Sequence, residues 1–352
     1  MNAPIWKLAF HPSGAVTPDN LNFPFNFFLA AFAGALLTTL LALPIWRKWC
    51  LRTNLVDDPR DGKNYDAPKI HDSPVPLAGG LAVLTGILLP LIAGAIFLKF
   101  GILKISFAEL IVHGINRRAI ELGAIAIGAI AMTVLGWADD RHELKPLPKF
   151  AGQFLIALLV AAAGARVTLF VPNIFFSYAI TILWLLTIIN AFNFMDNMNG
   201  LCAGLGAIGA LLFAIIAAAD GEYLVALIAF LTCGALLGFL PYNFPNARAF
   251  LGDAGSHLVG YLLAVLAILP HFYTKQNPNP LAVLSPLLVL AIPLIDLAQV
   301  VILRTFNRKP FWIGDTNHLS HRLARAGFSR TRAVLVIWLI AAMIGALATI
   351  NL

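Results

Sequence analysis

Three short acidic patches carry the residues best suited to chemistry. Asp139 and Asp140 stand side by side in Gly136-Trp137-Ala138-Asp139-Asp140. Asp196 closes the amide-rich run Asn190-Ala191-Phe192-Asn193-Phe194-Met195-Asp196, and Asp253 lies in Phe250-Leu251-Gly252-Asp253-Ala254-Gly255-Ser256. Each patch sits where an apolar run meets polar sequence, and polar side chains next to lipid are costly enough that they usually serve chemistry or transport. Adjacent carboxylates suit Mg²⁺, which takes one or two protein carboxylates and leaves its other positions to water and substrate phosphate. Their plainer reading is a membrane-boundary marker. Lys145 and Lys149 follow at helical spacing, suited to meeting phosphate as point charges or to flanking a span on its inner side.

Asn190, Asn193 and Asp196 are each three residues apart, so one helical face would present all three. Asn can also join helices within lipid. Gly200 offers a backbone break before the next apolar run. Gly252 to Ser256 opens a helix, where free backbone N–H groups favour an anion, although Asp253 alone also reads as a cap. His257 is a lone histidine and reads as structural. His318 and His321 are three apart among Arg322 and Arg325. A zinc pair would need further ligands nearby, and only Asp315 is at hand, so a basic clamp on a diphosphate is the better reading. Asp296 is an acid inside an apolar run. It reads as structural, with Arg304 as an available partner.

These residues need helices to hold them. Sixty per cent of the chain is apolar, 12% is charged and the mean hydropathy is +0.84, far from the range of soluble domains. The expectation is an all-α integral membrane protein, a single polytopic domain over residues 1–352. Ten apolar runs approach the length of spanning helices, at about 25–46, 77–98, 119–138, 149–163, 177–194, 200–219, 223–240, 255–272, 281–303 and 333–350. The first is too long for a signal peptide. Pro293 predicts a kink or break in the ninth, and residues 164–176 suggest a small outside hairpin. Cys50, Cys202 and Cys233 show no metal spacing or disulfide framework.

Basic residues set the orientation. With both termini outside, only Lys7, Lys99, Lys104, Arg117, Arg118, Arg166 and Lys275 of the 24 Lys and Arg remain outside. Asp139-Asp140, Asp196, Asp253 and the His318–Arg325 segment then share the cytoplasmic face. The first inside loop adds Lys69-Ile70-His71-Asp72-Ser73-Pro74-Val75-Pro76-Leu77-Ala78-Gly79-Gly80, whose prolines and glycines bring an extended segment close to the second span.

Taken in order, Lys69 to Gly80, Gly136 to Asp140 with Lys149, Asn190 to Asp196, Phe250 to Ser256 and Asn317 to Leu323 resemble the polyprenyl-phosphate N-acetylhexosamine-1-phosphate transferases. The resemblance runs from about Asp57 to Arg332. It implies ten or eleven spans, a cytoplasmic site in a bacterial inner membrane and a Mg²⁺ cofactor, with Mn²⁺ as the alternative ion. It implies a UDP-linked N-acetylated sugar and undecaprenyl phosphate as substrates, with UMP released. Carried over by position, Asp139 and Asp140 form the acidic pair, one of them the base. Asp140 and Asp253 serve the metal, and Asp196 lies in the nucleotide-sugar site. Asn190, Asn193 and Asn199 line that site, Lys69, Lys149 and Arg322 contact substrate, and His318 and His321 hold the diphosphate or sugar. A homodimer and the lipid bilayer are the other partners implied, and nucleic acid is not. The chain departs from the family where it reads Asp196-Asn197-Met198-Asn199-Gly200, which lacks a second acid, and where Ser320 replaces a histidine. The missing triple histidine argues against the muramoyl-pentapeptide branch. A metal-ion or solute transporter is the rival from another class, but transporters keep polar groups near the bilayer midplane. Here only Asp296 fits that pattern. The Asp-x-x-Asp-Gly run of CDP-alcohol phosphotransferases is not found.

Overall fold

The computed structural model describes residues 24–59, 73–100, 108–168, 171–270, 280–308, 310 and 317–349. Lys69, His71 and Asp315 lie outside the described residues. In lipid each backbone group must be satisfied within its own segment, and the apolar runs accordingly form helices. They are α1 (Phe25–Thr53), α2 (Gly79–Lys99), α3 (Ala108–Arg117), α4 (Ala119–His142), α5 (Pro146–Ala162), α6 (Ile174–Met195) and α7 (Leu201–Ala219). There follow α8 (Tyr223–Asn243), α9 (Gly252–Leu266), α10 (Ser285–Val289), α11 (Ala291–Phe306), α12 (Leu319–Arg325) and α13 (Arg330–Ala346). Each of the ten expected runs is helical over most of its length.

Among the described residues, seven helices are long and apolar enough to cross a membrane: α1, α2, α4, α6, α7, α8 and α13 together with the 3-10 turn that carries it on to Thr349. The bent pair α10–α11 would make an eighth. By that measure the count falls short of ten, because α5 has only 17 residues and α9 only 15. The shortness of α9 goes with its place. It packs against α2, α4, α6, α7 and α8 at the centre of the bundle, and every one of its residues except Asp253 is buried. The first apolar run is part of this bundle, since α1 packs along α8 and α2.

The break expected from Pro293 is present as a 68° bend between α10 and α11. It falls at Leu290, ahead of the proline. Pro293 sits in the first turn of α11, where its ring would clash with the carbonyl four residues back, that of Val289, the last residue of α10.

No strand forms among the described residues of 164–176, where an outside hairpin was expected. Residues 165–168 and 171–173 are without strand structure. The backbone of Val167 is taken by side chains of α6 instead, its N–H donating to Thr181 Oγ1 at 2.9 Å and its carbonyl accepting from Ser177 Oγ at 2.7 Å. A two-residue ladder forms elsewhere, in the first inside loop, where β1 (Val56–Asp57) pairs antiparallel with β2 (Val75–Pro76). The same proline–glycine segment is laced onto the entry of α9. Phe250 N donates to Pro76 O at 3.0 Å, Gly79 N to Phe250 O at 2.9 Å, and Gly80 N to Leu251 O at 3.0 Å.

Candidate active site

α4 and α9 meet at unusually short range, and this brings two acidic patches together. A Cβ on Gly136 would lie 2.3 Å from Asp253 O, so only glycine lets the last turn of α4 reach the first turn of α9. Leu251, at the N-cap of α9, has no side-chain oxygen to cap the helix. Asp140 caps it from α4. Its Oδ1 accepts from Asp253 N at 2.8 Å and its Oδ2 from Ala254 N at 3.1 Å, which satisfies two amides that a helix start leaves without partners. Gly252 is at φ +71° and a Cβ there would lie 2.7 Å from Asp140 Oδ2, so the turn into α9 also requires glycine.

Around that junction lies an open cleft of ≈ 1250 Å³, whose lining includes Asp139, Asp140, Lys149, Asn190, Asn193, Asp196, Asn199 and Asp253. Eight of the expected site residues therefore share one space. Lys149 Nζ bridges Asp139 Oδ2 at 2.7 Å and Asp253 Oδ2 at 2.9 Å. The second oxygen of Asp139 accepts from Leu144 N at 2.8 Å, and that of Asp253 accepts from Asn193 Nδ2 at 2.7 Å. Asn193 Nδ2 also lies 3.0 Å from Ser256 Oγ. Asp196 follows the last turn of α6. Burial, and secondarily the charge of Asp253, pushes its carboxyl up to about 7.

The amides divide between lining and bracing. Asn190 Nδ2 donates to Gln153 Oε1 and to Leu186 O, both at 2.8 Å, so it joins α5 to α6 while facing the cleft. Asn199 Nδ2 donates to Pro245 O at 3.1 Å. Gly200, at φ +79°, supplies the break expected of it, and its N–H donates to Asn243 Oδ1 at 2.6 Å.

The histidine segment flanks the cleft without lining it. His318 Nδ1 lies 2.7 Å from Asp296 Oδ2, and Leu319 N donates to Asp296 Oδ1 at 2.6 Å. Asp296, only 1% exposed, thus braces the start of α12, a structural role with a partner other than the one expected. The His318 ring meets the edge of Phe194, a cleft residue, at 5.6 Å between centroids. His321 is 6.3 Å from His318, centroid to centroid. Burial lowers the basicity of His321, and the charges of His318, Arg325 and Arg330 add to that. Arg322 is exposed and donates to Gln299 Oε1 at 2.7 Å. Ser320 Oγ donates to Asn197 Oδ1 at 2.6 Å and so ties α12 to the Asp196 loop.

Three participants were not expected from sequence. Asn243 holds the Gly200 turn, and Arg330 lines the cleft from the start of α13. His257, one turn beyond Asp253, is 0% exposed, and neither ring nitrogen has a hydrogen-bond partner. One ligand atom each from Asp139, Asp253 and His257 lies within 4.8 Å of the others. Two carboxylates beside an unpartnered imidazole are a donor set that fits a divalent cation. The four-residue spacing of Asp253 and His257 was visible in the sequence. Its standing alone, with no second histidine nearby, spoke against a role.

The family model described as Glycosyl transferase family 4 matches residues 122–271, which hold Asp139, Asp140, Lys149, Asp196 and Asp253. Among curated proteins the chain is similar to the probable undecaprenyl-phosphate N-acetylglucosaminyl 1-phosphate transferase of Bacillus subtilis, 31% identical over 89% of this chain and 81% of the relative. It is 33% identical to the decaprenyl-phosphate N-acetylglucosaminephosphotransferase of Mycobacterium tuberculosis over 88% of this chain and 79% of that protein. It is 26% identical to the undecaprenyl-phosphate alpha-N-acetylglucosaminyl 1-phosphate transferase of Escherichia coli over 89% and 81%. An α-helical membrane bundle with its acids gathered at one cleft, and likeness over nearly its whole length, lead to one conclusion: the chain belongs to glycosyl transferase family 4, the polyprenyl-phosphate N-acetylhexosamine-1-phosphate transferases.

Proposed function

We propose that this protein transfers N-acetylglucosamine 1-phosphate from UDP-N-acetylglucosamine to undecaprenyl phosphate, releasing UMP, as the first membrane step of a cell-envelope polysaccharide. The observation that carries the reading is Lys149 held between Asp139 and Asp253 in an open cleft. The relatives' names support both the sugar and the lipid carrier. The cleft faces the cytoplasm of a bacterial inner membrane in this reading. The chain crosses ten times with both termini outside, α5, α9 and the α10–α11 pair each counting as a crossing.

An acceptor phosphate monoester, with its second pKa near about 6, is mostly dianionic at neutral pH. It needs little base, and the obstacle is bringing it against a diphosphate. An oxygen of the lipid phosphate attacks the sugar-proximal phosphorus. A new P–O bond forms, the bond to the bridging oxygen breaks, and UMP leaves with that electron pair. Asp139 and Asp253 would hold a divalent cation, which supplies charge neutralisation on the diphosphate when bound. Lys149 leaves its carboxylates to meet phosphate oxygens, the kind of charge stabilisation that dominates such transfers. Asn193 keeps Asp253 oriented, and Asp140 keeps the start of α9 in place. Sequence assigned Asp140 to the metal, whereas its two amide contacts favour this positioning role. Asp196 and the neighbouring amides face the nucleotide sugar. In this reading Asp139 would give one oxygen to Leu144 N and the other to the cation, which supports direct displacement over an aspartyl-phosphate intermediate.

The test is incubation of purified protein with undecaprenyl phosphate and radiolabelled UDP-N-acetylglucosamine, beside a panel of other UDP-sugars. Label should pass into organic-extractable lipid with equimolar UMP. Label that stays aqueous with every sugar rejects the reading.

A further inference from the structure

We infer that His257 is a nitrogen ligand of the cleft's divalent cation, so that the centre is formed by Asp139, Asp253 and His257 and favours Mn²⁺ over Mg²⁺. The inference rests on the phosphotransferase reading of the same cleft and goes beyond it. Its first ground is position. Asp253 and His257 are four residues apart on α9 and therefore stack on one helical face, the face that α4 approaches through Gly136.

The second ground is the state of the imidazole. His257 is 0% exposed, and both of its ring nitrogens lack hydrogen-bond partners. A buried polar atom left in that condition is costly, and native proteins rarely leave one so without a reason. Yet a ligand atom of His257 lies within 4.8 Å of ligand oxygens of both Asp139 and Asp253. Donors around an octahedral cation at 2.0–2.1 Å are separated by roughly 3 Å when adjacent and 4.2 Å when opposite. The imidazole makes no hydrogen bond to the carboxylates, and a small side-chain adjustment would bring the three donors to the separations of a shared ion.

The chemistry of the donors sets the preference. Carboxylate oxygens suit Mg²⁺ and Mn²⁺ alike, whereas Mg²⁺ is a hard cation that takes oxygen ligands and imidazole nitrogen is a donor for first-row transition ions, so the histidine is what separates the two. Lys149 Nζ now bridges the two carboxylates, so an entering cation displaces the ammonium while His257 stays in place.

The experiment uses the full chain in detergent with Mn²⁺ alone, without either substrate. Three-pulse electron spin-echo spectroscopy detects nitrogen bound directly to Mn²⁺. Wild type should show ¹⁴N modulation, altered by ¹⁵N-histidine labelling and lost in His257→Leu. The variant should still bind Mn²⁺, about tenfold more weakly, and Mg²⁺ should displace that Mn²⁺ about tenfold more readily than from wild type. His257→Gln, which keeps polarity and removes the imidazole, should behave alike if the leucine variant fails to fold. Bound Mn²⁺ with no ¹⁴N modulation in wild type, or modulation that persists in the variants, overturns the inference. So does wild type that binds no Mn²⁺ at the cleft. Transfer activity is measured separately, so a centre without nitrogen in an active enzyme rejects His257 alone, and an inactive protein rejects the phosphotransferase reading.

Discussion

Replacing Lys149 by methionine separates two roles that one ammonium performs. Methionine keeps much of the side chain's apolar bulk and removes the charge. In the substrate-free protein the ammonium lies 2.7 Å from Asp139 and 2.9 Å from Asp253. At an effective dielectric of about 20, each contact is a bare attraction of about 6 kcal/mol, most of it offset by desolvation of the partners. If only about 1.4 kcal/mol survives as competition with an entering cation, its removal tightens cation binding by about tenfold. Turnover should move the other way. Loss of one charge-stabilising donor costs roughly 10²–10³ in kcat in comparable sites. The assay is a Mn²⁺ titration followed by spin resonance without substrates, alongside UMP release with both substrates. Tighter Mn²⁺ binding with turnover reduced a hundredfold or more is the expected result. Turnover close to wild type would refute the role in transfer. Mn²⁺ binding and turnover that weaken together would show that Lys149 holds the carboxylates in place and does not compete with the cation.

Asp140→Asn and Asp253→Asn should differ in kind. The first leaves one α9 amide facing an NH₂ group, so it should lower thermal stability, by about 1–3 kcal/mol, as well as activity. The second removes a ligand of the proposed cation and should cost at least about 10² in turnover with a smaller effect on unfolding. Asp196, pushed up to about 7, binds its proton more tightly in the folded state than in the unfolded one. Its effect on stability therefore falls as pH rises from about 4 to 7. Asp196→Asn should raise the melting temperature relative to wild type more at pH 8 than at pH 5, and an equal gap at both would refute the shift. In a cysteine-free background, Lys145→Cys and Arg325→Cys should both resist an impermeant thiol reagent in intact cells and react after permeabilisation. Labelling of both in intact cells would overturn the cytoplasmic cleft.

The convergence of the acids was legible because each lies at the end of an apolar run, and alternate runs end on the same side. Asn193 was legible for a related reason, since helical spacing carried it onto a face with Asp196. Lys149 stands on a different helix from Asp139 and was legible only as a cation following the acidic pair. The role of Asp140 was not. It depends on Leu251 being unable to cap α9, a deficit more than a hundred residues away in sequence that only tertiary structure connects. His257 was read as structural because it stands alone in the sequence, and its lack of hydrogen-bond partners appears only in three dimensions. Asp296 was read as structural, and it is engaged by two groups at the start of α12. Its partners, His318 and the Leu319 amide, could not be read because they lie more than twenty residues further along the chain, at the start of another helix. The hairpin at 164–176 failed because Ser177 and Thr181, inside an apolar helix, outcompeted a strand for the Val167 backbone. The ten runs were legible as helices, but run length overstated how many reach full spanning length, since α9 lies inside the bundle.

The most direct test of the central claim is the fate of the β-phosphorus of the sugar nucleotide. Purified protein is given undecaprenyl phosphate and UDP-N-acetylglucosamine labelled at that phosphorus and, separately, in the sugar. Both labels should enter the lipid fraction in equal amounts, matched by UMP in the aqueous phase, and Asp253→Asn should abolish all three. Sugar label in lipid without the phosphorus, with UDP released in place of UMP, would contradict the account.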